Sequence, residues 1–336
     1  MNKSAFIELA KHLDSYLQKK ETAYYSLIES SIHQAEIENP WFIKRFVHSM
    51  LQSIIQISSE ESLNFYTKDF IPTSNPKKIL VIAAGNIPMV SYRDVMDVLL
   101  SGHILVFKPS SKDNVLMKMI LHILQDLHPE LKNNIHIIES PIRSNEIDAV
   151  IATGTNNTAM YIHQYFSHLP RIVRNNRTSI AILNDQTTDE ELRKLADDVM
   201  IYFGLGCRNV SKLFIPQNFD IQRIFKAIYD YGFVMQHHKY MNNYDYYRSI
   251  YLLNKESFLE NNFLIVKESQ QLHAPVANLF YERYTDLNQI SDYIHKHQQD
   301  IQCIVGNGYV PFGQTQFPFI DDFADGINTK EFLMGL

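Results

Sequence analysis

Cys207 stands in the turn Gly204-Leu205-Gly206-Cys207-Arg208-Asn209-Val210-Ser211, a setting suited to a thiol nucleophile. Glycines let a backbone approach a ligand closely, and a cation such as Arg208 beside a thiol favours the thiolate. A buried structural cysteine is the competing reading, and it is the commoner fate of a lone Cys. Cys303 fits that second reading, since Ile301-Gln302-Cys303-Ile304-Val305 has the pattern of a strand. Asn86 follows an apolar run in Ala83-Ala84-Gly85-Asn86-Ile87-Pro88. A fixed neutral amide there suits donation to an oxyanion, and a plain turn residue is the alternative. The chain has no GxGxxG phosphate fingerprint. It also has no HxxxH, CxxC or paired carboxylates at metal spacing, so no metal is expected. His237-His238 reads as a solvated or core pair.

The elements that must position these residues follow from apolar patterning. Residues 4–70 read as helical, with Phe6, Leu9, Leu13, Tyr16 and Leu17 at helical spacing and a second amphipathic helix over Trp41–Ile57. Short apolar runs then alternate with helix-like stretches. The runs are Ile79–Ala83, His103–Phe107, Ile135–Ile138 and Ala149–Ala152; the helices are Val90–Leu100, Asn114–Leu127 and Ala159–His168. Such runs bounded by turns predict βαβ units with strands buried on both faces, hence a doubly wound parallel sheet. The ligand site of such a sheet lies at the carboxyl ends of its strands. Those ends carry Gly85-Asn86, Lys108-Pro109-Ser110-Ser111 and Thr153-Gly154-Thr155. Ser179–Leu183 reads as a strand. Thr188 and Glu191 form a capping box that opens a helix with the stripe Leu192, Leu195, Ala196, Val199, Met200 and Phe203. That helix is expected to end at Gly204–Gly206 and deliver Cys207. A strand, Ser211–Ile215, follows, and a second α/β unit occupies roughly 217–310. The stretch from Val310 onward has little regular pattern.

Composition excludes several classes. The 336 residues are 45% hydrophobic with a net charge of −6, which suits a globular core and disfavours nucleic acid or an anionic membrane as partner. No apolar run is long enough to span a bilayer. The N-terminal stretch reads as an amphipathic helix and not a signal peptide. Two separated cysteines do not make a disulfide framework, so a cytoplasmic location is expected.

The order of motifs resembles the aldehyde dehydrogenase superfamily, and within it the LuxC-like acyl-CoA reductases. The resemblance runs through Val81–Ser111, Ile151–Thr155, Tyr202–Pro216, Lys239–Asn254 and Val310–Leu333, including the late Pro311-Phe312-Gly313. It implies an aldehyde-dehydrogenase-like fold: N-terminal helices and a dinucleotide-binding domain over 1–200, a catalytic domain over 201–310, and a segment 311–336 that returns toward the body. It implies that Cys207 is the nucleophile and that Asn86, with the Cys207 backbone amide, is the oxyanion donor. It also implies that Lys108 contacts the adenosine ribose and that Thr153 and Gly154 approach the pyrophosphate.

Two departures refine the expectation. Hydrolytic members keep a glutamate base where this chain reads Arg174-Asn175-Asn176-Arg177. Without a carboxylate, water is poorly activated, which agrees with coenzyme A as the acyl partner. NAD-preferring members carry a glutamate three residues after the lysine; here that position is Ser111, with Ser110 before it and Lys112 beside it, which favours the 2′-phosphate of NADPH, with NADH the alternative. The nicotinamide-ribose glutamate of the family is replaced around Gln271, before Ala274-Pro275-Val276. The expected reaction is NADPH-dependent reduction of an acyl-CoA to an aldehyde through an acyl-cysteine. The alternatives are a reductase of acyl phosphates and a non-catalytic nucleotide-binding protein on the same scaffold. A homo-oligomer is compatible with the sequence. Tyr240, Tyr244, Tyr246, Tyr247 and Tyr251 either line an acyl or coenzyme A channel or pack on alternate faces of a strand.

Overall fold

The structure, a computed structural model, describes residues 2–140, 143–154 and 156–336, without the side chains of 156–158. The chain forms two compact units, Met1–Asn176 with Pro318–Leu336, and Arg177–Phe317.

The first unit opens with helices α1 (Lys3–Leu17), α2 (Tyr25–Glu38), α3 (Lys44–Ile57) and α4 (Glu60–Tyr66). There follow β1 (Lys78–Ile82), α5 (Tyr92–Leu100), β2 (Ile104–Lys108), α6 (Leu116–Leu127), β3 (Ile135–Ile137), β4 (Ala149–Thr153), α7 (Asn156–Tyr165) and β5 (Arg171–Arg174). The strands form one parallel sheet in the order β3-β2-β1-β4-β5. Ile79 and Val81 of β1 join the core shared with the N-terminal helices, α5 and α6, whereas Leu80 joins Val106, Val150, Ile162 of α7 and Phe166 just after it. Burial on both faces is why these strands read as continuous apolar runs. Strand order reverses between β1 and β4, so the ligand crevice of this sheet type opens at their carboxyl ends. β5 was not visible in the sequence, because Ile172 and Val173 are its only apolar residues.

The second unit contains β6 (Thr178–Ile182), α8 (Asp189–Met200), β7 (Val210–Pro216), α9 (Gln222–Ala227), α10 (His238–Leu253), β8 (Leu259–Glu260), β9 (Ile265–Glu268), β10 (Asn278–Tyr284), α11 (Leu287–Lys296) and β11 (Ile301–Val305). Its sheet runs β11-β6-β7-β10-β9-β8, parallel except for the β8–β9 pair. Both halves of the Thr188–Glu191 capping box form at the start of α8. The division after Asn176 falls earlier than the boundary at 200 read from the sequence, because β6 pairs with β7 and β11.

Three readings need correction. The tyrosines of 240–251 lie on the helix α10 and not on a strand; Tyr240, Tyr244 and Tyr251 form its buried side. The helix before Cys207 stops at Met200, and the chain leaves it through Tyr202 and Phe203, both with φ of 56°. The last residues, read as irregular, include α12 (Thr329–Met334) and pack in the first unit.

Polar groups fasten that tail. Arg174 Nη1 donates to Asp94 (2.7 Å) and Nη2 to the Thr329 hydroxyl (3.0 Å). Arg93 donates to Asp97 (3.1 Å), and its guanidinium lies against the adjoining rings of Tyr66 and Phe323. The Lys77 amide donates to His103 Nδ1 (3.1 Å), so His103 Nε2 carries the proton and donates to the Leu333 carbonyl (2.9 Å).

Candidate active site

In the first unit, the carboxyl ends of β1 and β2 meet. A Cβ on Gly85 would lie 2.5 Å from Ser110 Oγ and 2.7 Å from Lys112 Cβ. Only glycine permits that approach, because real Cβ atoms do not come so close. Asn86, the next residue, is exposed. Met89 closes the turn with a φ of 49°, and its amide donates to Asp113 Oδ2 (2.6 Å). Burial raises the Asp113 carboxyl to about 6, against the amides of Met89, Leu116 and Met117, which favour its charged form. One buried carboxylate therefore joins the Asn86 turn to the start of α6.

Lys108 ends β2, and its Nζ lies 3.5 Å from the Glu139 carbonyl. The Glu139 carboxylate pairs with Lys118 (2.7 Å). Ser110 Oγ accepts from the Lys112 amide (3.2 Å), while the Lys112 carbonyl accepts from Asn39 Nδ2 (3.1 Å). Ser111 and Lys112 are exposed. Thr153 ends β4, the Gly154 amide donates to the Arg174 carbonyl (3.3 Å), and α7 starts two residues later. Thr155 lies outside the described residues. The structure thus gathers Asn86, Lys108, Ser110, Ser111, Thr153 and Gly154 at one edge of the first sheet.

Cys207 lies in the second unit, half-buried, between α8 and β7. It is the second residue of a turn closed by the Asn209 amide donating to the Gly206 carbonyl (3.0 Å). The Cys207 carbonyl accepts from Ser179 Oγ (3.1 Å), and that oxygen also lies 3.1 Å from Cys303 Sγ. Arg208 sends Nε to the Thr315 carbonyl (2.7 Å), so part of its donor capacity holds the loop after Pro311-Phe312-Gly313. The same loop is held by Asp198 of α8, which accepts from the amides of Gly313 (2.7 Å) and Thr315 (3.0 Å). Burial pushes the Asp198 carboxyl up to about 6.

Sequence reasoning missed Asp113, Asp198, Ser179 and Asn209. A signal existed for Asp198: an acid in the last turn of a helix opposes the macrodipole and needs another reason to be there. Of the α10 tyrosines, Tyr240 lines a small cavity with Phe203, Gly204, Ala274, Pro275 and Val276. Tyr244 instead donates to Glu260 (2.5 Å), and Tyr246 is exposed. Gln271 is exposed on the segment that enters that cavity wall. In the stretch Arg174–Arg177, Arg174 is buried and paired with Asp94, and Asn175 and Asn176 are exposed. Among the described residues no cluster of three or more metal-ligating side chains occurs, and no helix is long and apolar enough to cross a membrane.

The fold is that of aldehyde dehydrogenases. A Mycobacterium tuberculosis aldehyde dehydrogenase complexed with NAD+ superposes with a TM-score of 0.65 at 11% identity, over 91% of this chain and 73% of its own. The aldehyde dehydrogenase KauB of Pseudomonas aeruginosa gives 0.64 at 10% identity, over 91% and 72%. A variant of aldehyde dehydrogenase C from Pseudomonas syringae, complexed with NAD+ and octanal, gives 0.63 at 9% identity, over 90% and 72%. No curated protein sequence matches the chain. The family model for acyl-CoA reductase (LuxC) matches residues 6–226. That match spans the N-terminal helices, the parallel sheet and the cysteine turn, and the chain belongs to the acyl-CoA reductase (LuxC) family, oxidoreductases of the acylating aldehyde dehydrogenase type.

Proposed function

We propose that this protein reduces an acyl-CoA thioester to an aldehyde with NADPH, through a covalent acyl group on Cys207. The observation that carries the reading is the cysteine turn. A partly buried cysteine stands between glycine and arginine, its carbonyl held by Ser179 and the Gly206 amide before it by Asn209. A nucleophile needs access and a fixed position together.

The Cys207 thiolate attacks the thioester carbonyl and coenzyme A departs as a thiolate, a leaving group with a pKa of about 8.5 that needs no acid. Asn86 and the Cys207 amide serve as the oxyanion donors, each worth about 10²–10³ in rate. The stretch Arg174-Asn175-Asn176-Arg177 offers no carboxylate to activate water, so the acyl-cysteine is protected from hydrolysis. The reduced nicotinamide supplies, when bound, the hydride that takes the acyl carbon to the aldehyde level. Collapse of the resulting thiohemiacetal releases the aldehyde and restores the Cys207 thiolate.

The residues of the first sheet fit that cofactor. Gly85 leaves room where a Cβ would collide, and Lys108, Ser110, Ser111 and Lys112 offer cations and hydroxyls with no carboxylate among them. The Thr153–Gly154 turn leads into a helix N-terminus, a natural place for a pyrophosphate. NADPH is favoured over NADH because a serine and a lysine stand where an acid would repel the 2′-phosphate.

The test is acyl-CoA-dependent oxidation of NADPH. Cys207→Ser should abolish it, and wild-type enzyme given acyl-CoA without cofactor should gain the acyl mass on the Cys207 peptide. Near-normal turnover by the serine variant would overturn the mechanism. Turnover with acyl phosphate and none with acyl-CoA would move the enzyme to the other substrate class.

A further inference from the structure

The geometry points to Asn209 as the positioning residue of the nucleophile turn, an inference that rests on Cys207 being the nucleophile. Asn209 is 2% exposed. Its side-chain oxygen accepts from the Gly206 amide (2.8 Å), and its own amide donates to the Gly206 carbonyl (3.0 Å). Its side-chain nitrogen donates to the carbonyls of Ile201 (2.8 Å) and Asp198 (3.0 Å), with Val199 farther off at 3.4 Å. These are the terminal carbonyls of α8 and its exit, which a helix leaves without intrahelical donors.

The exit itself is strained. Tyr202 and Phe203 take φ of 56°, followed by Gly204 at 75°. Bulky residues in that region are disfavoured and persist only where the surroundings over-determine them. Asn209 supplies part of that determination. It ties the end of α8, before the left-handed corner, to the turn after it. Cys207 and Arg208 are the two central residues of the turn that Asn209 closes. The sulfur is thereby placed relative to α8 by one side chain that never touches the substrate.

The residue type matters. Two donors and one acceptor in a plane at this reach are an asparagine's inventory. Aspartate keeps the acceptor and turns a carboxylate on three carbonyl oxygens. Serine keeps one short donor. A second tie, from Ser179 Oγ to the Cys207 carbonyl, holds the turn from the sheet side.

The experiment compares Asn209→Ser and Asn209→Ala with Cys207→Ser in the full chain, below each variant's unfolding midpoint. It measures kcat, KM for acyl-CoA and NADPH, and the rate at which iodoacetamide labels Cys207. Misplacing a reacting atom by an ångström costs about 10²-fold. That loss is expected in kcat for Asn209→Ala and a smaller one for Asn209→Ser, with both KM values little changed and an altered labelling rate. A merely structural role would lower the melting temperature and leave kcat of the folded protein alone. Normal kcat in folded Asn209→Ser overturns the inference, and that variant decides the matter where Asn209→Ala does not fold. If Cys207→Ser is inactive while Asn209→Ser is normal, the positioning role alone fails. If Cys207→Ser turns over, the acyl-cysteine reading fails and the inference with it.

Discussion

The amide of Met89 donates to the carboxylate of Asp113 across 2.6 Å, and so the turn carrying Asn86 moves with the loop carrying Ser110 and Ser111. The two groups proposed for different tasks, oxyanion and cofactor, share one buried anchor. Disturbing Asp113 should therefore affect kcat and the cofactor KM together. Measuring both for Asp113→Ala tests this; a change confined to one of them counts against the shared anchor.

Asp113 also sets a pH dependence. Its folded-state carboxyl is raised from 3.8 to about 6 by burial. A raised carboxyl gives stability that is full below about pH 4 and is lost as pH rises through about 6. The loss is on the order of 2–3 kcal/mol. Asp198, also raised to about 6, shares the window. Asp113→Asn removes the first contribution. Urea unfolding should show wild type gaining on Asp113→Asn as pH falls from 7 to 4.5, and a constant gap between the two would reject the assignment.

Gly85 offers a steric test. A methyl there meets Ser110 Oγ at 2.5 Å and Lys112 Cβ at 2.7 Å, so the cofactor loop must shift. Gly85→Ala should cost about 1–3 kcal/mol, the usual range for overpacking, and raise KM for NADPH. Unchanged cofactor binding by calorimetry would show that the contact has no bearing on the cofactor.

Cofactor choice should follow Ser111. An acid there can pair with ribose hydroxyls and repels a 2′-phosphate. Ser111→Glu is expected to move the ratio of kcat/KM for NADPH over NADH toward NADH by at least about tenfold, some 1.4 kcal/mol. A ratio that stays put would place the discriminating contact elsewhere.

Arg174 tests the tail. It is buried against Asp94 and Thr329, and removing one partner of a buried pair costs about 3–5 kcal/mol. Arg174→Ala should lose that much in chemical denaturation, and Thr329→Val much less. Equal effects of the two would mean that the ion pair carries little.

Strands β1, β2 and β4 of the first unit were legible because their central residues are buried on both faces and a glycine or serine follows each within three residues. The Thr188–Glu191 cap was legible because its two hydrogen bonds need only four residues. α10 was not, although Tyr240, Tyr244, Tyr247 and Tyr251 recur at helical spacing. Tyrosine's strand preference masked that period, and Tyr246 blurred it. The left-handed corner at Tyr202 and Phe203 was hidden for a different reason: side chains of that size do not advertise positive φ. Asn209, which ties the two sides of the corner together, lies beyond it and acts through carbonyls that carry no sequence signal.

Arg177–Phe317 is inserted between two parts of the first unit. That topology sets an order of assembly. As the ribosome extends the chain, Asp94 and Arg174 emerge long before Thr329, so the first unit waits unfinished while the whole second unit is made and free to fold. Closing α12 over the waiting partners is then the last folding event of the first unit, and a released chain truncated after Phe317 should show a protease-resistant cysteine unit and a still-labile first one.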